Sequence, residues 1–334
     1  MRKAFIALVL VAVVGAGSFL VLRQHHHLVV TSPSTTTTST TVVIAPLTGL
    51  PDPSRSALKR PALTIKIENT PDAMPQFGID QADVLYEEIV NGGITRLAAI
   101  FNSNAPVKVG PVRSVRPTDQ SIVWPIGGIF AYSGGAPYAV QSIEQAPVKL
   151  IDESNAGAAM FRDFARQAPH NLYAVAPSLF AVGGTPTPPP RLFTYRAAST
   201  PVVGAKVASF VVQFPSIYPV TWRWNASTQS WDRNLFGRPV ITGTNVQVSP
   251  KNVIVMWINY VNGVGTFASY ANLQGSGTAA IFTDGRELRG TWSRGPSKAD
   301  IITYQTSTGH KIALTPGQTW VELLDVGANV NVTP

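Results

Sequence analysis

The chain has no cysteine among its 334 residues. That excludes a thiolate nucleophile, a cysteine-ligated metal and any disulfide framework, so the fold must hold by core burial. Charged residues are scarce, 13% against 45% hydrophobic, a balance that excludes a disordered chain and leaves a sizeable core. Past the N-terminus no heptad and no repeat of about 20–50 residues recurs, which excludes a coiled coil and a repeat array. Runs of Lys and Arg with stacking aromatics are missing, so no nucleic-acid partner is expected. HExxH, EF-hand loops and histidine pairs at helical spacing are missing too, and no metal site is expected. Asp83, Glu87 and Glu88 could together hold a hard cation, but nothing in the pattern demands one. The sequence names no cofactor.

Glycine and proline are plentiful, 27 of each, and fall between short apolar runs, the pattern of many turns and short strands. The formal net charge is +8. Arg2, Lys3 and Arg23 flank the first apolar segment and every acidic residue lies beyond it. The remainder is moderately basic, which outside a bacterium suits anionic lipid headgroups or phosphate-bearing wall polymers.

Residues 4–22 carry no charge; as a helix they reach about 28 Å, close to the ~30 Å hydrocarbon core. Ala16, Gly17 and Ser18 offer a cleavage site, but apolar residues 19–22 follow it. This favours an uncleaved anchor over residues 1–23. The expected protein therefore sits in the cell membrane by a single pass, its basic N-terminus cytoplasmic and its soluble part extracytoplasmic. Residues 24–42 read as a tether. His25, His26 and His27 form a solvated spacer, and the Thr/Ser tract 31–41 cannot bury a core.

The soluble part divides into an α+β or α/β N-terminal domain over 43–182, a Pro-rich linker over 183–201 and a β-rich, sandwich or barrel-like C-terminal domain over 202–326. Residues 183–190 (GGTPTPPP) break both helix and strand and mark the boundary. In the first domain, 62–68 reads as a strand and 83–90 with 94–101 as a hairpin around Asn91, Gly92 and Gly93, which sets Glu88 opposite Arg96. A buried strand is expected at 128–133 and helices at 137–145 and 177–182. In the second, strands are expected at 207–214, 220–224, 252–260, 278–282, 288–293, 311–314 and 319–324, with Asp284-Gly285 as a hairpin turn. The tryptophans here, Trp222, Trp224, Trp231, Trp257, Trp292 and Trp320, read as packing residues; an exposed row of them would bind sugar rings.

Three polar segments could carry chemistry. Residues 109–119 (VGPVRSVRPTD) form a loop in which Thr118 or Asp119 could cap a helix running to about Trp124. Arg113 and Arg116, three apart beside that helix start, suit an anion; alternatively they pair with Asp83, Glu87 or Glu88. Ser133, Gly134 and Gly135 follow a strand, where glycine lets backbone approach a ligand, although a plain strand-to-helix turn needs the same residues. They lack the spacing of a P-loop or a nucleophile elbow. Arg162, Asp163 and Arg166 precede 168–173 (APHNLY), where His170 could serve as a general base and Asn171 as an amide donor, or His170 could simply bond backbone.

Together these segments resemble the YerB-like envelope lipoproteins, a bacterial family of unassigned biochemical function. The matching residues include Pro46-Leu47-Thr48-Gly49, Lys66-Ile67-Glu68-Asn69, Tyr86-Glu87-Glu88, Gly92-Gly93-Ile94-Thr95-Arg96, Gly110-Pro111-Val112-Arg113-Ser114, Ser133-Gly134-Gly135 and Ala168-Pro169-His170-Asn171-Leu172-Tyr173. In the C-terminal half Asn252-Val253-Ile254-Val255, Gly290-Thr291-Trp292 and Pro316-Gly317-Gln318-Thr319-Trp320 continue it, so that the likeness covers about residues 46–324. The resemblance implies a two-domain exported protein. Lipoprotein members carry a lipidated cysteine; this chain has none, so the helix itself is the expected anchor. In layout alone the chain is also similar to the LytR-CpsA-Psr glycopolymer transferases, which would make Arg96, Arg113, Arg116 and Asp119 a phosphate-facing set.

Three functions are expected from this reading: a module binding an anionic, phosphate-bearing wall or lipid-linked ligand; an enzyme on phosphate-linked glycopolymer, with Asp119 or His170 in proton transfer; or a protein–protein scaffold whose charged cluster is a structural ion network. Whether the chain is an enzyme stays open at this point. Ligand contacts are expected at Arg96, Arg113, Arg116, Ser133, Gly134, Gly135, Arg162, Asp163, Arg166 and Asn171.

Overall fold

The segment Leu63–Glu68 (LTIKIE) alternates apolar and polar, yet all six residues are buried. Both faces of its sheet are therefore covered, which is why Lys66 and Glu68 lie inside the protein. The computed structural model describes residues 42–183, 187–215 and 219–334. The expected anchor 1–23, the tether to residue 41, the histidines 25–27 and part of the linker lie outside the described residues. Among the described residues no helix is long and apolar enough to cross a membrane.

Fourteen strands and three helices build the framework of the site: β1 Leu63–Glu68, β2 Val84–Ile89, β3 Thr95–Phe101, α1 Pro117–Val123, β4 Ile129–Tyr132, α2 Pro137–Ile143, β5 Lys149–Asp152, α3 Ala176–Val182, β6 Ser209–Val212, β7 Val220–Asn225, β8 Ser230–Leu235, β9 Asn252–Ile258, β10 Gly275–Thr283, β11 Arg286–Arg294, β12 Thr303–Thr306, β13 Thr319–Asp325 and β14 Val330–Thr333. A mixed sheet of eleven strands runs β12-β11-β10-β9-β13-β2-β3-β1-β4-β5, with Ala205–Lys206 added beside β11. A smaller antiparallel sheet runs from Arg238–Pro239 through β8, β7 and β6 to β14.

The fold is sheet-rich with few helices, and its C-terminal half is strand-rich, as the sequence leads one to expect. The hairpin β2–β3 turns at Asn91–Gly93, with Gly92 at φ 81° and Gly93 at φ 73°. Its register sets Glu88 opposite Arg96, as the loop length predicts. Asp284 (φ 52°) and Gly285 (φ 66°) make the turn between β10 and β11. Each helix has a proline in its first turn.

One expectation is extended and one is corrected. The C-terminal region is strand-rich, with the small sheet packed face to face on β10 and β13, but its strands do not form a sheet separate from the N-terminal ones. β9–β12 extend the sheet begun by β1–β5, and β13 lies parallel to β9 on one side and to β2 on the other, so the two halves of the chain share one sheet. Neither Thr118 nor Asp119 caps α1. Arg116 is the N-cap and Asp119 sits at the third helical position, accepting the Arg116 backbone N–H on Oδ2 at 2.7 Å.

Strand alternation sends neighbouring side chains to opposite faces. Lys66, Glu68, Arg96 and Glu88 share one face, with α1 against it; Glu87 and Glu322, paired in register, share the other. The small sheet covers that second face. Phe210 stacks on Phe282 at 3.5 Å between centroids, and Trp222 meets Trp320 edge-on at 5.5 Å. Trp222, Trp231 and Trp320 are fully buried there, in the packing role expected of them.

Candidate anion site

On the helix-covered face, Lys66 is completely buried and paired with Glu88, and its Nζ lies 2.7 Å from Asp119 Oδ1. Burial raises the Asp119 carboxyl to about 6, opposed by Lys66 and reinforced by Glu88. Glu68, one residue pair further along β1, is nearly buried. Arg113 grips it through Nε at 3.0 Å and Nη2 at 3.1 Å, His170 Nδ1 lies 2.9 Å from Oε2, and Thr70 donates at 2.9 Å. Burial alone would raise the Glu68 carboxyl, but the bonds from Arg113 and His170 bring it below its ordinary value.

Two further arginines crowd the same place. Arg96 is 8% exposed and donates Nη1 to the Ser114 carbonyl at 2.8 Å. Burial, then the like charges of Arg116 and Arg113, push its guanidinium down to about 10. Half-buried Arg116 donates to Asn91 Oδ1 at 2.8 Å and to the Val115 carbonyl. Among the described residues neither Arg96 nor Arg116 forms an ion pair; the carboxylates nearby are taken by Lys66 and Arg113. Lys66, Arg96, Arg113 and Arg116 thus face Glu68, Glu88 and Asp119, four cations against three carboxylates.

The Ser133–Gly135 turn closes one side. Ser133 N–H bonds the Arg113 carbonyl and Val115 N–H bonds the Gly134 carbonyl, both at 3.0 Å. A side chain at Gly135 would collide with Val115, its Cβ falling 2.6 Å from Cγ1. The opposite rim comes from the C-terminal half and has no signal in the sequence. Gly92 N–H bonds the Gly265 carbonyl at 2.8 Å. Tyr138 donates to the Phe267 carbonyl at 2.6 Å, their rings 5.7 Å apart, and Phe267 is 67% exposed. The rim is thus an aromatic shelf beside the arginines.

Of the expected site residues, the fold gathers Arg96, Arg113, Arg116, Ser133, Gly134, Gly135 and, through Glu68, His170. It does not gather the charges of the 162–166 segment. Arg162 is taken up bidentately by Glu153 at 2.7 Å and bonds Asn171 Oδ1 at 2.8 Å. Asp163 pairs with Lys108 at 2.6 Å. Arg166 donates to the carbonyls of Asp72, Met74 and Pro75 and to the Tyr173 hydroxyl. Asn171 is buried with its amide on the Arg166 carbonyl. Asp119, a candidate for proton transfer, is 0% exposed with one oxygen on Lys66 and the other on the Arg116 backbone N–H, which corrects that reading; His170 keeps a partly exposed ring. The alternative pairing of Arg113 and Arg116 with Asp83, Glu87 or Glu88 is corrected too. Arg113 takes Glu68, Glu88 takes Lys66, Glu87 takes Arg233, and Asp83 accepts the backbone N–H groups of Asn102 and Ser103. Asp83, Glu87 and Glu88 therefore do not converge on a cation, and no metal-binding cluster occurs among the described residues.

A second buried cluster, on the other face, has no local signal in the sequence. Arg233 Nη2 lies 2.9 Å from Glu87 Oε2, under the Trp320 ring at 4.8 Å. Trp320 Nε1, Asn69 and Thr95 also donate to Glu87, and Trp222 Nε1 donates to Glu322 at 3.0 Å. Burial first, then the neighbouring Glu87, raises the Glu322 carboxyl well above its ordinary value.

Family profiles match the chain twice: the N-terminal domain of a protein of unknown function, DUF3048, over residues 47–184, and the DUF3048 C-terminal domain over 210–321. YerB of Bacillus subtilis (strain 168), provisionally named a lipoprotein, is 35% identical over 131 residues, 39% of this chain and 39% of its own length. The aligned stretch thus spans about two fifths of that relative. The crystal structure of the YerB protein from Bacillus subtilis superposes with a TM-score of 0.74 at 22% identity, over 86% of this chain and 99% of that one, which shows the fold they share.

Proposed function

Given that the chain belongs to the YerB-like family of DUF3048 proteins, we propose that it is an envelope-associated protein that binds an anionic, phosphate-bearing wall or lipid-linked ligand at Arg96, Arg113 and Arg116. The lipoprotein name of its relative supports the location. In place of a lipidated cysteine, residues 4–22 serve as a single-pass anchor that leaves the soluble part outside the cytoplasm.

One observation carries the ligand: Arg96 is nearly buried beside Arg113 and Arg116 and, among the described residues, forms no ion pair, its neighbours Glu68 and Glu88 being paired with Arg113 and Lys66. A buried surplus of positive charge is unfavourable, and an incoming anion relieves it. Planar guanidinium forks suit phosphate oxygens bidentately, and the Tyr138–Phe267 shelf offers apolar surface to whatever carries the phosphate. The scaffold reading fits Lys66, Glu88 and Asp119, which are buried and mutually paired, but leaves Arg96 and Arg116 unexplained. The reading is tested by incubating the full chain with an extract of bacterial envelope and identifying retained molecules by mass spectrometry. Phosphate-bearing glycans or lipids should be retained by the parent and lost from the Arg96→Gln/Arg116→Gln variant. Equal retention by both would overturn it.

A further inference from the structure

Away from the arginines, the face covered by the small sheet emerges at the far ends of β9, β10 and β11, where a cleft of about 510 Å³ opens. Strand alternation places its floor. Trp257 on β9 lies in line with Thr278 on β10, Asn259 follows two residues on, Ser276 stands two residues from Thr278, and Arg289 on β11 completes the row. Asn272 forms one wall.

The chemistry of this lining is specific. The Trp257 indole is half-buried and held by its Nε1–H on the Ala328 carbonyl at 2.9 Å, so its ring presents a fixed surface. Around it stand amides and hydroxyls, and the side chains of Asn259, Ser276 and Thr278 are exposed. The one charged side chain on the floor is neutralised, Arg289 pairing with Glu287 at 2.9 Å. A rigid aromatic surface ringed by neutral donors and acceptors matches a pyranose, whose C–H face packs on a ring while its hydroxyls bond at the edge. It does not match an anion, for which the floor has no unpaired cation, or a lipid tail, which would leave the amides unbonded.

We propose that this cleft binds a short neutral oligosaccharide, with Trp257 as the stacking residue and Asn259, Ser276 and Thr278 as hydroxyl partners. The site is separate from the arginine cluster, and its occupancy does not depend on that reading.

Isothermal titration of the full-length chain with chitotetraose and with cellotetraose tests it; the two probes separate N-acetylated from plain sugars. Saturable binding of at least one is expected, weakened about tenfold or more in Trp257→Ala. Trp257 also packs against the core, so Thr278→Arg is the second variant. It changes an exposed floor position, should leave the melting temperature in place, and should block binding equally. Arg96→Gln/Arg116→Gln should bind the sugar as the parent does. Failure of both sugars to bind, or undiminished binding by Thr278→Arg, would overturn the assignment while leaving the anion site untouched.

Discussion

The two faces of the central sheet each bury an ionic cluster, built from adjacent residues of one strand, and they have opposite designs. Glu87 points into a cage beside Glu322, where Arg233, Trp320, Asn69 and Thr95 bond the Glu87 carboxylate and Trp222 donates to Glu322. Glu88 points to a cluster that reaches the surface and holds one more cation than carboxylates. A buried pair with one cation to its carboxylate holds a fold together; pairing with surplus charge at a wet edge leaves something for a ligand to do. The difference lies in the partners each face recruits, since the residue types are the same.

The closed face should show the largest effect. Arg233→Met leaves Glu87 charged and buried, and should cost about 3–5 kcal/mol in urea unfolding. Adding Glu87→Gln should recover part of that loss, whereas a single-variant effect below about 1 kcal/mol would mean the cage is not a closed pair. Lys66→Met should cost a similar ~3–5 kcal/mol by stranding Glu88 and Asp119. Its effect should depend on pH in a defined direction. Asp119 is raised from the ordinary 3.8 to about 6 in the folded protein, so folding favours its protonated form. The associated stability is full below ~4 and lost as pH rises through about 6. Without Lys66 the carboxyl rises further, so the penalty should shrink as pH is lowered from about 7 to about 5; a pH-independent penalty would contradict the pairing.

Arg113→Ala should have a smaller effect, about 1.5–3 kcal/mol for a charged hydrogen bond, because Glu68 keeps His170 and Thr70. Here the sign reverses. The Glu68 carboxyl is lowered, so its contribution is present above the ordinary glutamate range and lost as pH falls through the folded value. The difference between parent and variant should therefore be largest at neutral pH and vanish in acid.

Much of the open face is legible in the sequence. The Asn-Gly-Gly turn and two alternating runs set the β2–β3 register, and the prolines at 117 and 137 mark helix starts. The arginine loop and the Ser-Gly-Gly turn stand out as polar segments and do lie together. On the closed face the strands around Trp222 and Trp320 are legible, but the ionic cage is not. Ser230–Leu235 (SWDRNL) carries too few apolar residues to read as a strand, yet Ser230, Trp231, Arg233, Asn234 and Leu235 are buried. Its charge is matched by Glu87 from a distant strand, and no local pattern encodes such a pairing. The insertion of β13 between β2 and β9, and the approach of loop 262–268 to Gly92 and Tyr138, are likewise products of sheet topology.

The most direct test of the contrast is thermal unfolding with increasing pyrophosphate at constant ionic strength, which holds general screening fixed. Parent protein and a closed-face control, Glu322→Gln, should both gain melting temperature as the ligand saturates, reaching about 2.7 kcal/mol at a hundredfold excess over Kd. Arg96→Gln/Arg116→Gln should gain nothing, while melting within about 1 kcal/mol of the parent without ligand. Equal protection of all three proteins would contradict the account.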